Sequence, residues 1–358
     1  MKKVGILTSG GDCQGLNPAI RGVAKALYDR LGKEVKIYGI KDGYKGLIEG
    51  EYDAMKKSDF SGILTIGGTI LGTSRQPFKA MRVVGDDGVD KVAAMKKNYE
   101  EMGLDCLVIL GGNGTHKTAN LLSEEGLNIV TLPKTIDNDL WGTDITFGFY
   151  SALDVATDVI DRLHTTATSH GRIFVVEIMG HKAGWLNLYA GTAGGADVIL
   201  IPEIPYSMDK ITNVINNRTK DGKVFSIVAV AEGALSVEES KMSKKEFKNY
   251  RANTPYPSIS YRVADDIAKA TGHEVRVAVP GHIQRGGSPS PYDRVLSTRL
   301  GAKAAELICN EQYGYMVGMV NDRVVPVPLG EVAGKLKCVP ADNEVVALAR
   351  SIGVSFGD

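Results

Sequence analysis

Short apolar runs constrain this chain more than any other feature. They fall at Val4 to Leu7, Val35 to Ile40, Cys106 to Leu110, Ile129 to Leu132, Ile173 to Ile178, Val198 to Ile201 and Ser226 to Val230. Such runs, unalternating and bounded by glycine, predict strands buried on both faces of a parallel sheet. Between them lie helical patterns. Ala152, Leu153, Val155, Ala156, Val159, Ile160 and Leu163, for example, share one face at helical spacing. Alternating strands and helices imply a doubly wound α/β fold, in which ligands bind beyond the carboxyl ends of the strands.

A chain of 358 residues with 43% hydrophobic content exceeds the size of one undivided core, so two lobes are expected. Basic and acidic residues stand at 42 each, which leaves no global field to hold nucleic acid or an anionic membrane. Cys13, Cys106, Cys309 and Cys338 form no CxxC or CxxH pair, and a reduced, cytoplasmic setting fits them. Met1-Lys-Lys runs straight into the first apolar run, too short for a signal peptide, and no run reaches membrane-spanning length. The Lys-, Glu- and Ser-rich stretch from Ser236 to Ser258 breaks the rhythm and reads as a solvated surface insertion.

Chemistry is expected just after the strands. Thr8-Ser-Gly-Gly-Asp-Cys-Gln-Gly-Leu-Asn17 follows the first run, with a helix starting near Pro18. Glycine-rich backbone ahead of a helix offers N–H groups and a positive dipole end to phosphate, although such a turn serves packing as readily as binding. Gly67-Gly-Thr-Ile-Leu-Gly-Thr-Ser-Arg75 and Gly111-Gly-Asn-Gly-Thr-His-Lys117 read as two further strand-end loops of this kind. Three in one lobe can line a polyphosphate, with Arg75 as a cation for charge developing in transfer. Neither the dinucleotide fingerprint nor the Walker A pattern is present.

After the Ile129 run comes Pro133-Lys-Thr-Ile-Asp-Asn-Asp139. Two carboxylates two residues apart suit a division of labour, one taking a proton from a hydroxyl and the other supporting a metal. Pro280-Gly-His-Ile-Gln-Arg-Gly-Gly-Ser-Pro289 offers His282 and Arg285, with Arg276 upstream and Arg172 before another strand. Clustered Arg and His grip a terminal phosphate, and each could equally serve an ordinary ion pair. The histidines show no zinc spacing, and His116 and His273 read as surface residues.

Gly10-Gly-Asp12, Gly111-Gly-Asn-Gly-Thr115, Pro133 to Asp139, Met179-Gly180 and Gly281 to Pro289 resemble, in order and spacing, the 6-phosphofructokinase family over nearly the whole chain. The resemblance implies two Rossmann-like lobes with mostly parallel sheets. A nucleotide-binding lobe would comprise residues 1–148 and 284–334, and a fructose 6-phosphate-binding lobe residues 149–283 and 335–358. It implies transfer of the γ-phosphoryl of ATP, with Mg²⁺, to the 1-hydroxyl of fructose 6-phosphate. Asp137 would be the base, with Thr135 and Asp139 beside it and Arg75 assisting transfer. Gly11, Tyr44, Arg75, Gly112, Asn113, Gly114 and Thr115 would surround the nucleotide, and Asn113 and Asp139 the metal. Met179, Gly180, Glu232, His282 and Arg285 would hold fructose 6-phosphate, joined by Arg172 and Arg276 from a neighbouring subunit of a homo-oligomer.

Several positions depart from the family pattern. Asn113 replaces an aspartate, His181 an arginine, and Lys134 a glycine, the last as in pyrophosphate-using and mixed members. Arg21 and Lys223 remain from the effector site of regulated members, where His164 and Asp221 stand in place of cations. A pyrophosphate-dependent enzyme and a catalytically silent sugar-phosphate sensor are the competing readings. Gly114 favours ATP, because an aspartate there would overpack the site and bury an unpaired charge against the third phosphate.

Overall fold

Each of the seven apolar runs is a strand in the computed structural model, which describes residues 1–84 and 88–358. In chain order the strands are β1 (Lys2–Thr8), β2 (Val35–Ile40), β3 (Tyr52–Met55), β4 (Cys106–Gly111), β5 (Ile129–Pro133), β6 (Ile173–Ile178), β7 (Val198–Leu200), β8 (Ser226–Ala231), β9 (Val275–Ala278), β10 (Tyr315–Val320) and β11 (Arg323–Pro328). The fold class is the expected one: helices alternate with strands that are parallel except for β3 and β11.

By internal contacts the chain divides into Met1–Ser151 with Arg285–Lys337, and Ala152–Gln284 with Cys338–Asp358. Against the expected boundaries, these limits place Gln284 in the second unit and residues 149–151 and 335–337 in the first. The first unit holds a sheet of order β11-β10-β5-β4-β1-β2-β3. β4 and β5 are wholly buried, and Leu7, Ile109, Leu122 and Met316 belong to one continuous apolar cluster. The second unit holds the sheet β7-β8-β6-β9, all parallel, around Val175, Val228, Val230 and Ile211.

The strands that sequence reading left out sit at or beside sheet edges. β3 is a short, exposed ribbon on β2, and β11 carries Pro326 and Pro328, residues a sheet accepts only where a donor is not needed. The helix expected through Ala152 to Leu163 runs Phe149–His170, with Ala152, Ala156 and Ile160 buried.

The Ser236 to Ser258 segment lies at the surface as expected, Glu239 alone being buried, but it is helical where the sequence reading named no element. It forms helices Val237–Ser240 and Lys244–Asn253, each opened by a reciprocal capping box, Ser236 with Glu239 and Ser243 with Glu246. Glu239 is buried and pairs with Arg251 at 2.6 Å and Arg262 at 2.8 Å, while Arg262 also donates to the Tyr206 hydroxyl at 2.9 Å. Burial opposes ionisation of Glu239, but hydrogen bonds from Arg262, Ser236 and Arg251 outweigh it and hold the carboxyl below its usual range. Breaking such a pair strands the buried Arg262 cation, so Glu239→Ala should cost about 3–5 kcal/mol in denaturant unfolding. A depressed carboxyl gives stability that is present above its unfolded pKa of about 4.3 and lost as pH falls through the lower folded value. The gap between wild type and Glu239→Ala should therefore narrow below about pH 4; a gap independent of pH would show that the ion cluster is not its source.

Candidate active site

The first sheet reverses direction of growth between β1 and β4, the switch point at which a doubly wound sheet opens a crevice. The Gly10–Asp12 turn after β1 and the junction after β4 flank that point. Gly112 is the N-cap of helix Asn113–Glu124, so most of the second glycine loop is in fact a first helical turn. Its leading N–H groups have no partner within the helix and suit an anion. Thr115 Oγ1 donates to the Ser9 carbonyl at 3.5 Å. Tyr44 is fully buried and braces the same turn from behind, its hydroxyl donating to the Thr115 carbonyl at 2.8 Å.

Segment Gly67 to Arg75 corrects a second expectation, because no strand directly precedes it; the short 3₁₀ turn Ile63–Thr65 does. It is instead stitched across the ends of β1 and β2. Thr8 Oγ1 donates to the Gly72 carbonyl at 2.7 Å, Gly10 N to Ser74 O at 3.1 Å, and Asp42 N to Leu71 O at 2.9 Å. Arg75 follows directly and is exposed.

Two further cations meet the Gly10–Asp12 turn. Lys134 is only 4% exposed and donates to the Gly11 carbonyl. Arg285 donates to the Asp12 carbonyl at 3.0 Å, and its Nε is buried without a partner. A Cβ on Gly11 would stand 2.9 Å from Arg285 Nη1, so only glycine lets the guanidinium approach this closely. Burial pushes the Lys134 ammonium below the usual lysine range, with Arg285 adding to the shift while Cys13, Asp137 and Asp12 oppose it. Neither cation forms a salt bridge among the described residues.

At the end of β5, Thr135 Oγ1 accepts the Asp137 N–H at 3.0 Å. Asn138 takes a left-handed φ of 50°, and Asp139 follows, buried. Asp137 Oδ1 and Asp139 Oδ1 are each buried without a hydrogen-bond partner. Burial and the charge of Asp137 push the Asp139 carboxyl up to about 6. Asn113 Nδ2 donates to the Lys335 carbonyl at 2.6 Å, and no cluster of three His, Cys, Asp or Glu occurs among the described residues. An ion that keeps its waters and arrives on phosphate needs no such cluster, and the orphaned Asp139 oxygen fits Mg²⁺ of that kind.

The second unit presents its own strand-end turns. Gly180, at φ 144°, and His181 donate to Glu232 Oε1 at 3.3 and 2.7 Å. Met179 N donates at 3.2 Å to the buried Gln284, in the short turn that carries the exposed His282. Met179, Gly180 and Glu232 thus gather at the carboxyl end of β6. Arg172 and Arg276 do not: both pair with Glu274, Arg172 at 2.8 Å, beside the amino end of β6. At about 3.3 Å per residue, six strand residues separate the two groups by about 20 Å.

Two residues escaped sequence reading. His116, read as a surface residue, is fully buried with Nδ1 2.9 Å from the Gly112 carbonyl, and burial pushes it down to about 4. Its helical position just past Thr115 was the available signal. Lys337 donates to Asn138 Oδ1 at 2.9 Å and to the carbonyls of Thr143 and Asp144 at 2.8 Å each. No local pattern announces a contact across 199 positions of sequence.

Fold and site together define a doubly wound α/β protein with an anion-receiving switch point beside a pair of carboxylates, the class suited to phosphoryl transfer. The sequence model of the phosphofructokinase family matches residues 3–308, and the chain belongs to that family. It is 59% identical over 357 residues, covering 99% of this chain and 97% of the relative, to an ATP-dependent 6-phosphofructokinase of Spirochaeta thermophila. It is 52% identical, over 99% of this chain and all of the relative, to ATP-dependent 6-phosphofructokinase 3 of Bacteroides thetaiotaomicron. Among solved structures it resembles the phosphofructokinase of Pichia pastoris in the T-state, with TM-score 0.80 and 33% identity, covering 98% of this chain and 36% of that longer one.

Proposed function

We propose that this protein is an ATP-dependent 6-phosphofructokinase, transferring the γ-phosphoryl of ATP to the 1-hydroxyl of fructose 6-phosphate in the cytoplasm. The observation that carries the reading is the pair of cations, Lys134 and Arg285, meeting the Gly10–Asp12 turn with no salt-bridge partner among the described residues. They offer a triphosphate what the protein does not supply internally. Asp137 accepts the proton of the sugar hydroxyl through its unpartnered Oδ1 as the new P–O bond forms and ADP leaves. Arg75, the Asn113–Glu124 helix N-terminus and Lys134 face the spreading charge. Asp139 with Asn113 would hold Mg²⁺, which would supply neutralisation of phosphate charge.

Met179, Gly180, Glu232 and His282 hold the sugar phosphate. Arg285, assigned to the same phosphate from the family pattern, is bound to the Gly10–Asp12 turn and fits the transferred phosphoryl better. Arg172 and Arg276, about 20 Å from the β6 turn, would serve the equivalent site of a second subunit, which makes a homo-oligomer the working form.

The buried Lys134 beside Gly11 favours pyrophosphate as a second reading, so donors must be compared directly. In a coupled assay with Mg²⁺ and fructose 6-phosphate, kcat/KM should be higher for ATP than for pyrophosphate. Asp137→Ala should lower kcat about 10²- to 10⁴-fold while fructose 6-phosphate still binds. Turnover with pyrophosphate alone would overturn the choice of donor, and no turnover with either would leave a sensor.

Gly114 requires a correction. A Cβ there meets nothing within 4 Å and the residue is exposed, so an aspartate neither overpacks the protein nor buries its charge. The cost must fall on the nucleotide. Gly114→Asp should therefore keep the wild-type Tm and lose about tenfold or more in kcat/KM for ATP, with pyrophosphate use spared. A lowered Tm, or equal loss with both donors, would contradict this.

A further inference from the structure

The turn between Asp137 and Asp139 does little to hold itself. Asn138 occupies the left-handed region at φ 50°, which an asparagine enters more readily than most residues but which still needs support. Its side-chain oxygen accepts Thr146 N–H at 3.1 Å and the Lys337 ammonium at 2.9 Å. The same ammonium donates to the Thr143 and Asp144 carbonyls at 2.8 Å each, and the Lys337 backbone N–H donates to the Asp139 carbonyl at 2.9 Å. Lys337 thus fastens both limbs of the 138–144 loop. Three acceptors converging on one point suit a compact ammonium and not the planar fork of arginine.

We propose that Lys337 is a positioning residue for phosphoryl transfer, locking the Asn138 turn and so fixing Asp137 relative to Asp139. It touches no reacting atom. Its effect is geometric, and misplacement of a catalytic group by about 1 Å can cost about 10²-fold in rate. The inference rests on the phosphofructokinase reading for the reaction it serves, whereas the lock itself is a property of the ligand-free chain.

Lys337→Met, nearly isosteric, and Asn138→Ala would be compared singly and together. We expect kcat to fall about 10- to 100-fold in Lys337→Met with KM for ATP and fructose 6-phosphate within about threefold of wild type. The double variant should be little worse than the poorer single one, because both act through one turn. Independent of activity, amide hydrogen exchange in the ligand-free protein should quicken across residues 138–146 and nowhere else in the first unit. Should Lys337→Met fail to fold, Lys337→Arg keeps the charge, and lowered kcat with faster 138–146 exchange is expected of it too. Unchanged kcat, multiplying losses in the double variant, or unchanged exchange would overturn the proposal. If wild type shows no turnover, the proposed function fails, and the exchange measurement still decides whether Lys337 holds the turn.

Discussion

Two cations, Lys134 and Arg285, meet at one glycine turn of the first unit with no salt-bridge partner among the described residues. Lys134 leaves the end of β5 and meets the Gly11 carbonyl, while Arg285 meets the Asp12 carbonyl beside it. Burying an ammonium in this way costs stability unless an anion completes the set. Glycine at residue 11 keeps the guanidinium seated, because a Cβ there would displace it. The helix after β4 adds its N-terminal dipole to the same crevice, and Tyr44 and His116 hold that helix start from its buried side.

The acid loop is built on the opposite principle. Its carboxylates keep unpartnered oxygens, but the backbone that carries them is tied at every limb, by Thr135, Thr146 and Lys337. Chemistry is left open while geometry is closed. In the second unit, Glu232 plays a similar part for the Gly180–His181 turn, whose positive φ values require fastening.

Much of this was legible in the sequence because the signals were local. Unalternating apolar runs gave the central strands, and glycine and Asp-Asn-Asp clusters marked the turns that follow them. The capping boxes at Ser236 and Ser243 were equally local, and their S-x-x-E spacing could have predicted helices within the expected surface insertion. Edge strands were lost because exposure weakens the apolar pattern, as in Tyr52–Met55. Burial of His116 and the reach of Lys337 depend on packing between distant segments, and composition carries no trace of either.

Replacing Lys134 by methionine tests the central claim most directly, with thermal unfolding of the free protein and calorimetric titration of MgATP measured on the same samples. If the buried ammonium is held for the nucleotide, Lys134→Met should melt above wild type and bind MgATP about tenfold or more weakly, roughly the 1.4 kcal/mol expected of one charge-assisted contact. A variant that melts lower while binding MgATP as tightly as wild type would contradict the account, because Lys134 would then serve the fold alone.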